Sequence, residues 1–228
     1  MVLVKGIIET SFIDYPKLVS LVIFTSGCNF RCHYCHNPEL VKQEEPFMSE
    51  EKLLTTIEEK KDWIDGVVIT GGEPTLHEDL PKLIKKIKDF GLLVKLDTNG
   101  SNPKMLKELI DKKFIDYIAM DIKAPLDDYK KVIQNDYNAK DILESIELIK
   151  SSGIDYEFRT TILPNLINEK DILKIGYLLE GSELLVLQNF RNEKTLDKDF
   201  EEKEGYLQPQ MEHFTRILKP FVKKVISR

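Results

Sequence analysis

The sequence lacks any apolar run long enough to cross a membrane. Its longest runs, residues 21–24 and 184–187, fall far short of the roughly 20 residues that a spanning helix needs. Residues 1–6 also lack the basic segment followed by a long apolar one that marks a secretory signal. These absences argue against a membrane-spanning or secreted protein and predict a chain that works in the cytoplasm.

Arginine is scarce, and positive charge is not concentrated anywhere along the chain. Lysine and arginine total 33 against 39 aspartates and glutamates, so the formal net charge is −6. Nucleic acid is therefore disfavoured as a partner. Hydrophobic residues make up 42% and charged residues 32% of the 228 positions. This composition is typical of a globular domain that can bury a core without help from a metal.

Cysteine is also scarce, yet the three cysteines, Cys28, Cys32 and Cys35, lie close together. An odd number crowded into one segment does not build a disulfide framework, so the spacing Cys-x3-Cys-x2-Cys indicates a metal or cluster site. A cubane [4Fe–4S] cluster normally takes four thiolates, so three would leave one iron open to an outside ligand. The alternative is a structural zinc ion with His33 or His36 as its fourth ligand, although the chain has no second pair of cysteines.

Six short apolar segments alternate with helical patterns, which predicts an α/β fold with a parallel sheet. The predicted strands span residues 18–25, 67–70, 92–96, 115–120, 156–162 and 184–188. The first predicted helix runs from Ser49 past Trp63 to near Gly66, and the others span residues 80–90, 103–112, 139–151, 169–179 and 210–218. We interpret residues 1–228 as one domain, with an extended lead-in over 1–17 and a closing helix and tail over 210–228.

Polar residues follow most of the predicted strands, and parallel strands bring such positions to one edge of a sheet. The cysteine segment follows the first strand. The other clusters are Gly71-Gly72-Glu73-Pro74, Asp97-Thr98-Asn99-Gly100, Asp121-Ile122-Lys123 and Gln188. We expect all of them to face one crevice, and we expect His77 and His213 to lie at the surface.

The cysteine motif Cys28-x3-Cys32-x-Tyr34-Cys35, followed by Gly71-Gly72-Glu73-Pro74 after the second strand, resembles the radical S-adenosylmethionine superfamily. The resemblance implies a partial (β/α)6, TIM-like barrel with a parallel sheet and the cluster loop after the first strand. Further segments are similar to those of the activating enzymes of glycyl radical enzymes such as pyruvate formate-lyase and anaerobic ribonucleotide reductase. These segments are Asp14-Tyr15-Pro16, Tyr34-Cys35-His36-Asn37, Asp97-Thr98-Asn99-Gly100 and Asp121-Ile122-Lys123.

The sequence departs from the family pattern at two positions. Lys17 stands where the family often has a glycine after Asp-x-Pro, which puts the turn before the first parallel strand in doubt. Gln188 stands where some relatives have a histidine, so a ribose contact at that position is uncertain.

The resemblance implies one [4Fe–4S] cluster on Cys28, Cys32 and Cys35, with an open iron that binds S-adenosylmethionine. Reductive cleavage of that cofactor would give a 5′-deoxyadenosyl radical, and no side chain beyond the cluster and the cofactor would be catalytic. The radical would abstract a glycine Cα hydrogen from a partner protein. The implied cofactor-binding residues are Tyr34, His36, Gly71, Gly72, Glu73, Asp97, Asp121, Ile122, Lys123 and Gln188.

Some of these residues have an implied role of their own. Tyr34 would pack against adenine, and Glu73 would accept a hydrogen bond from the α-ammonium group. Asp97 would bind the ribose or help to hold a monovalent cation beside the cofactor's carboxylate, and Arg159 is a further candidate for the cofactor pocket.

The implied partners are a glycyl radical enzyme as the protein substrate and a flavodoxin or ferredoxin type electron donor, with neither nucleic acid nor a membrane. Two alternatives stay open. One is a radical enzyme acting on a small molecule, similar to 7-carboxy-7-deazaguanine synthase. The other is a zinc-stabilised binding module without catalysis, which bound metal would distinguish because iron–sulfur proteins are brown and zinc proteins are colourless.

Overall fold

The structure is a computed structural model that describes residues 1–228 and contains one eight-stranded sheet with eight α-helices. The strands are β1 (Val4–Ser11), β2 (Ser20–Thr25), β3 (Gly66–Gly71), β4 (Leu93–Thr98), β5 (Tyr117–Asp121), β6 (Asp155–Ile162), β7 (Leu184–Asn189) and β8 (Lys224–Ser227). The helices are α1 (Pro38–Val41), α2 (Glu50–Lys60), α3 (Leu80–Asp89), α4 (Pro103–Asp111), α5 (Tyr129–Ile133), α6 (Ala139–Ser151), α7 (Glu169–Leu178) and α8 (Gln208–Leu218). None of these helices has both the length and the apolar composition that crossing a bilayer requires.

The order of the strands in the sheet follows their order along the chain. Strand β1 is antiparallel to β2, and every later neighbouring pair is parallel. Strands β1 and β8 are the two edges and do not pair with each other, so the sheet is open. The six parallel strands from β2 to β7, each followed by a helix, confirm the predicted α/β architecture of a partial (β/α)6 barrel.

Two strands lie outside the six that the sequence predicts. Val4–Ser11, in the predicted lead-in, is β1, and Lys224–Ser227, in the predicted tail, is β8. The cysteine segment therefore follows the second strand of the sheet, which is the first of the parallel set. The residues of these two edge strands are less buried than those of the inner strands, so the sequence lacks a continuous apolar pattern there.

The parallel strands are buried on both faces. Leu21 and Ile23 belong to the main core, which packs the sheet against the helices. Val22 and Val68 point to the opposite face of the strands and form a small separate cluster with Tyr15. This double burial explains why the strands are almost continuous in valine, isoleucine and leucine.

Two side chains are placed differently from the sequence prediction. Helix α2 ends at Lys60, so Trp63 lies outside it and is 81% exposed. His77 was expected at the surface but is buried next to the backbone of Ser26, and burial lowers its pKa. The second histidine expected at the surface, His213, is partly exposed in the structure.

Candidate active site

A cavity of about 300 Å³ lies where the carboxyl ends of the parallel strands meet. The predicted site residues that line it are Cys28, Cys32, Tyr34, Cys35, His36, Gly71, Gly72, Glu73, Asp97, Asp121, Lys123 and Gln188. Ile122 is the exception, since it is fully buried in the main core and does not line the cavity. Side chains that the sequence did not single out also line it, among them Phe30, Val41 and Thr161.

The cysteine loop begins where β2 ends, and backbone hydrogen bonds hold it in place. The amide of Gly27 donates to the carbonyl of Leu40 over 2.7 Å, and the amide of Glu73 donates to the carbonyl of Gly27 over 2.8 Å. All three cysteines are free thiols. Burial raises the pKa of Cys28 to about 12 and that of Cys32 to about 11. Such thiols are protonated at neutral pH and are not reactive nucleophiles, and a metal that bound them would displace their protons.

The cysteine thiols do not converge on a single ion. No three His, Cys, Asp or Glu side chains in residues 1–228 are placed to hold one metal ion. A zinc site needs its four ligands around one ion, so the zinc alternative does not fit this arrangement. In an iron–sulfur cubane each thiolate binds a different iron. Three thiols spread around one cavity fit that donor set.

Segment 190–200, which follows β7, covers the cysteine loop and engages both of its histidines. The amide of Asp197 donates to the carbonyl of His33 over 3.0 Å, and Oδ2 of Asp197 lies 2.8 Å from Nδ1 of His33. The ring of His36 stacks on Phe190 with 5.7 Å between ring centres. Residues of segment 190–200 thus fix the rings of both His33 and His36. No local pattern in the sequence indicates this segment, because only the tertiary fold brings it to the cysteines.

Glu73 is fully buried and ties the ends of β3 and β4 together. Its Oε1 accepts hydrogen bonds from the amide and hydroxyl of Thr75, at 3.1 and 2.5 Å, and from the hydroxyl of Thr98 at 2.8 Å. Its Oε2 accepts one bond, from the amide of Asn99 at 2.6 Å. Burial raises the pKa of Glu73, and these donors act against that rise. Because Oε2 has a single protein donor, it can accept another from a ligand.

Arg159 on β6 bridges two aspartates in the cavity wall. Its Nη1 donates to Oδ2 of Asp97 over 2.9 Å, and its Nε donates to Oδ1 of Asp121 over 2.7 Å. Lys123 Nζ donates to the other oxygen of Asp121 over 3.0 Å. Burial alone would raise the pKa of both aspartates, but the charge of Arg159, together with Lys95 and Lys123, outweighs it and lowers both values. The aspartates therefore stay ionised at neutral pH.

Tyr34, between the second and third cysteines, brings an unsatisfied polar atom to the cavity. The residue is only 5% exposed, and its hydroxyl has no hydrogen-bond partner. A buried tyrosine hydroxyl normally finds a partner, so this one marks a place for a polar group of a bound molecule. Gln188 and Thr161 line the same cavity and add further hydrogen-bonding groups.

Residues 22–175 match the model of the Radical SAM superfamily. The chain belongs to this superfamily. Radical SAM enzymes carry a [4Fe–4S] cluster and S-adenosylmethionine, and the residues of this chain fit both. Three thiols line one cavity, and Tyr34 with its unpartnered hydroxyl and Glu73 with the free capacity of Oε2 line the same cavity.

Two relatives of this radical SAM enzyme carry activating-enzyme names. A protein of Methanocaldococcus jannaschii named "Putative glycyl-radical enzyme activating enzyme" is 35% identical over 231 residues, which cover 99% of this chain and 95% of that protein. The pyruvate formate-lyase-activating enzyme of Clostridium pasteurianum is 30% identical over 189 residues, or 78% of this chain and 76% of that enzyme.

Solved radical SAM structures share the fold at low sequence identity. Streptococcus suis SuiB, solved with its precursor peptide SuiA, has a TM-score of 0.71 and 15% identity; the match covers 91% of this chain and 48% of SuiB, so this chain spans about half of SuiB. Escherichia coli QueE has a TM-score of 0.58 and 14% identity, over all of this chain and 93% of QueE. At these identities the likeness establishes the fold alone.

Proposed function

We propose that this radical SAM enzyme activates a glycyl radical enzyme by removing a hydrogen atom from the Cα of a backbone glycine. When bound, the cluster and S-adenosylmethionine supply the 5′-deoxyadenosyl radical for that step. The relative from Methanocaldococcus jannaschii supports the proposal, because the similarity runs through nearly the whole of both chains.

The three cysteine thiolates would bind three irons and leave the fourth open to the amino and carboxylate groups of the cofactor. Glu73 would accept a hydrogen bond from the cofactor's ammonium group at Oε2, the oxygen with a single protein donor. Tyr34 would pack against the adenine and use its unpartnered hydroxyl on a polar group. Lys123 and Arg159 would place positive charge opposite the carboxylate.

The other cavity residues would shape the cofactor pocket. Gly71 and Gly72 would present their backbone to the amino-acid end of the cofactor, since the place of a Cβ on either residue is taken by the backbone of Thr25 or Gly27. His36, held against Phe190, and Gln188 would complete the wall. The side chain of Ile122 does not reach the cavity. By packing in the core, Ile122 would fix the backbone that carries its neighbours Asp121 and Lys123.

The size of the cavity agrees with a protein substrate. About 300 Å³ lies at the lower end of the range for small-molecule sites. A small substrate would have to share this space with the cofactor, whereas a loop of a partner protein can reach in from outside. Glycine suits such a loop, because it has no Cβ and its amide neighbours delocalise the radical that forms.

The proposed setting is the cytoplasm, where thiols stay reduced, with a flavodoxin or ferredoxin type protein as the electron donor. The net charge of −6 supports a protein partner over nucleic acid.

The test offers the enzyme a candidate glycyl radical enzyme whose glycines are deuterated at Cα. Cluster-loaded enzyme, S-adenosylmethionine and dithionite should produce a glycyl radical signal in electron paramagnetic resonance and 5′-deoxyadenosine that contains deuterium. Cys32→Ala is the control and should give neither. Formation of 5′-deoxyadenosine without deuterium and without a radical on the partner would contradict the proposal and favour a small-molecule substrate.

A further inference from the structure

Lys95 is a buried lysine that the proposed chemistry does not explain. It lies on β4 two residues before Asp97, so both side chains point to the same face of the strand. The side chain of Lys95 is only 2% exposed. Its Nζ contacts Oδ1 of Asp97 and lies 5.9 Å from the centre of the Tyr117 ring. Burying an ammonium group costs free energy unless the charge is paired, so a role is to be sought for the buried Lys95.

With the contact from Lys95, both oxygens of Asp97 are engaged by cationic side chains of the chain. Lys95 engages Oδ1, and Nη1 of Arg159 donates to Oδ2 over 2.9 Å. One of the two roles expected for this carboxylate is to help to hold a monovalent cation. In the structure the positive charge opposite Asp97 comes from two side chains of the chain itself.

The charges around Asp97 form a connected set with a surplus of positive charge. Lys95, Arg159 and Lys123 carry three positive charges, and Asp97 and Asp121 carry two negative ones, so the set has one positive charge in excess. A metal cation would raise this excess to two. A ligand carboxylate would neutralise it instead.

Apart from the thiol of Cys32, which lies near enough to interact with Lys123, the neighbouring ionisable groups leave that balance in place. Glu157 on β6 is paired with Arg228 at 3.3 Å and also accepts a hydrogen bond from the hydroxyl of Tyr117 at 3.3 Å. The charges of Glu157 and Arg228 therefore cancel. Glu73, the other acid in the cavity wall, accepts four hydrogen bonds from neutral groups and has no ion-pair partner. It faces the ammonium end of the cofactor in the function proposed above.

We propose that Lys95 is a built-in cation that occupies the place of a bound sodium or potassium ion at Asp97. The cofactor's carboxylate is then neutralised by the network of Lys95, Arg159 and Lys123, and S-adenosylmethionine binds without any monovalent metal ion. This inference rests on the proposed cofactor site, but it does not depend on the identity of the substrate.

The test measures the binding of S-adenosylmethionine to the oxidised, cluster-loaded enzyme by isothermal titration calorimetry. Titrations are run in potassium, sodium and choline chloride at one ionic strength, so that screening is equal in all three. The wild-type dissociation constant should agree within about twofold among the three salts. Lys95→Met should bind about tenfold more weakly in choline, the loss expected for one charge-assisted contact, and should recover in potassium or sodium.

Two further variants control for the charge and for the number of lysines. Lys95→Arg keeps the positive charge and should stay independent of the metal ion. Lys88→Met removes a lysine that pairs with Asp116 at 2.7 Å outside the cavity, and it should bind like the wild type in every salt.

A wild-type affinity that falls about tenfold when choline replaces potassium or sodium would overturn the inference, even if Lys95→Met fails to fold. Absence of binding in all three salts would overturn the cofactor site itself, and with it both proposals. Cation-independent binding to an enzyme that forms no glycyl radical on its partner would overturn only the proposed function.

Discussion

Gly72 lies so close to Gly27 of the cysteine loop that a Cβ on Gly72 would be 2.1 Å from the carbonyl oxygen of Gly27. The carbonyl oxygen of Leu40 would also be within 3.1 Å. Both are backbone atoms, which cannot rotate out of the way as a side chain can. The absence of a side chain at Gly72 therefore sets how closely the end of β3 approaches the loop that carries the cysteines.

We predict that Gly72→Ala displaces the cysteine loop. The added methyl group should cost about 1–3 kcal/mol, as overpacking of a tight contact does, and should lower the iron content after reconstitution. Thermal unfolding of the apoprotein and iron per chain measure the two effects. The matched control is Gly6→Ala, because a Cβ at Gly6 meets nothing within 4 Å. Full iron content and an unchanged melting temperature in Gly72→Ala would show that the contact is not limiting.

We predict that Arg159→Met is strongly destabilising. The change leaves Asp97 and Asp121 facing each other without the guanidinium that bridges them, and breaking a buried ion pair costs about 3–5 kcal/mol. Chemical unfolding of the apoprotein measures the loss. Arg216→Met is the control, since Arg216 is exposed on α8 and makes no side-chain hydrogen bond. Equal stability of the two variants would mean that the network does not hold the strand ends together.

The lowered pKa values of Asp97 and Asp121 predict how stability depends on pH. An acid with a folded pKa below its unfolded value of about 3.9 contributes stability above that pH and loses it as the pH falls. The melting temperature of wild-type apoprotein should therefore exceed that of Asp97→Asn by a constant amount above about pH 5, and the gap should shrink below about pH 4.

The control for this titration is Asp62→Asn, at an exposed position with no ion-pair partner. Its melting temperature should follow that of the wild type at every pH. A gap between wild type and Asp97→Asn that widens as the pH falls would contradict the charge assignment of Asp97.

Lys17 occupies a backbone conformation that favours glycine, with φ of 68°. The turn closes nonetheless, and the amide of Leu18 donates to the carbonyl of Tyr15 over 3.2 Å. Lys17→Gly should relieve the strain and stabilise the protein by about 0.5–1 kcal/mol, after subtraction of the extra backbone entropy of glycine. Lys61→Gly is the control, because Lys61 has an ordinary helical φ of −55° and should lose stability. A lower melting temperature for Lys17→Gly would contradict this account.

The sequence predicts the parallel part of the fold and most of the cavity wall for one physical reason. Parallel strands all end at the same edge, so polar residues that directly follow strands must meet there. Asp97, Asp121 and Gln188 line one cavity on that basis, although they lie far apart in the chain. The apolar runs that mark these strands are local, and so they can be recognised without any knowledge of tertiary contacts.

The features that the sequence does not reveal depend on tertiary contacts. Asp197 reaches His33 only because segment 190–200 folds over the cysteine loop. Lys95 has the pattern of an exposed residue in a strand, yet it is buried and paired with Asp97. The prediction that His77 lies at the surface was wrong, because its loop packs against the backbone of Ser26.

In the proposed function, a cluster bound by the three cysteines reductively cleaves S-adenosylmethionine that is held in the cavity. The most direct measurement is anaerobic incubation of the iron- and sulfide-reconstituted enzyme with dithionite and S-adenosylmethionine, followed by chromatography of the products. The account predicts 5′-deoxyadenosine and methionine in equal amounts from the wild type. It predicts neither product from Cys28→Ala, Cys32→Ala or Cys35→Ala, although these variants keep wild-type circular dichroism. A Cys32→Ala variant with full cleavage activity, or a wild type that binds zinc in place of the cluster, would contradict it.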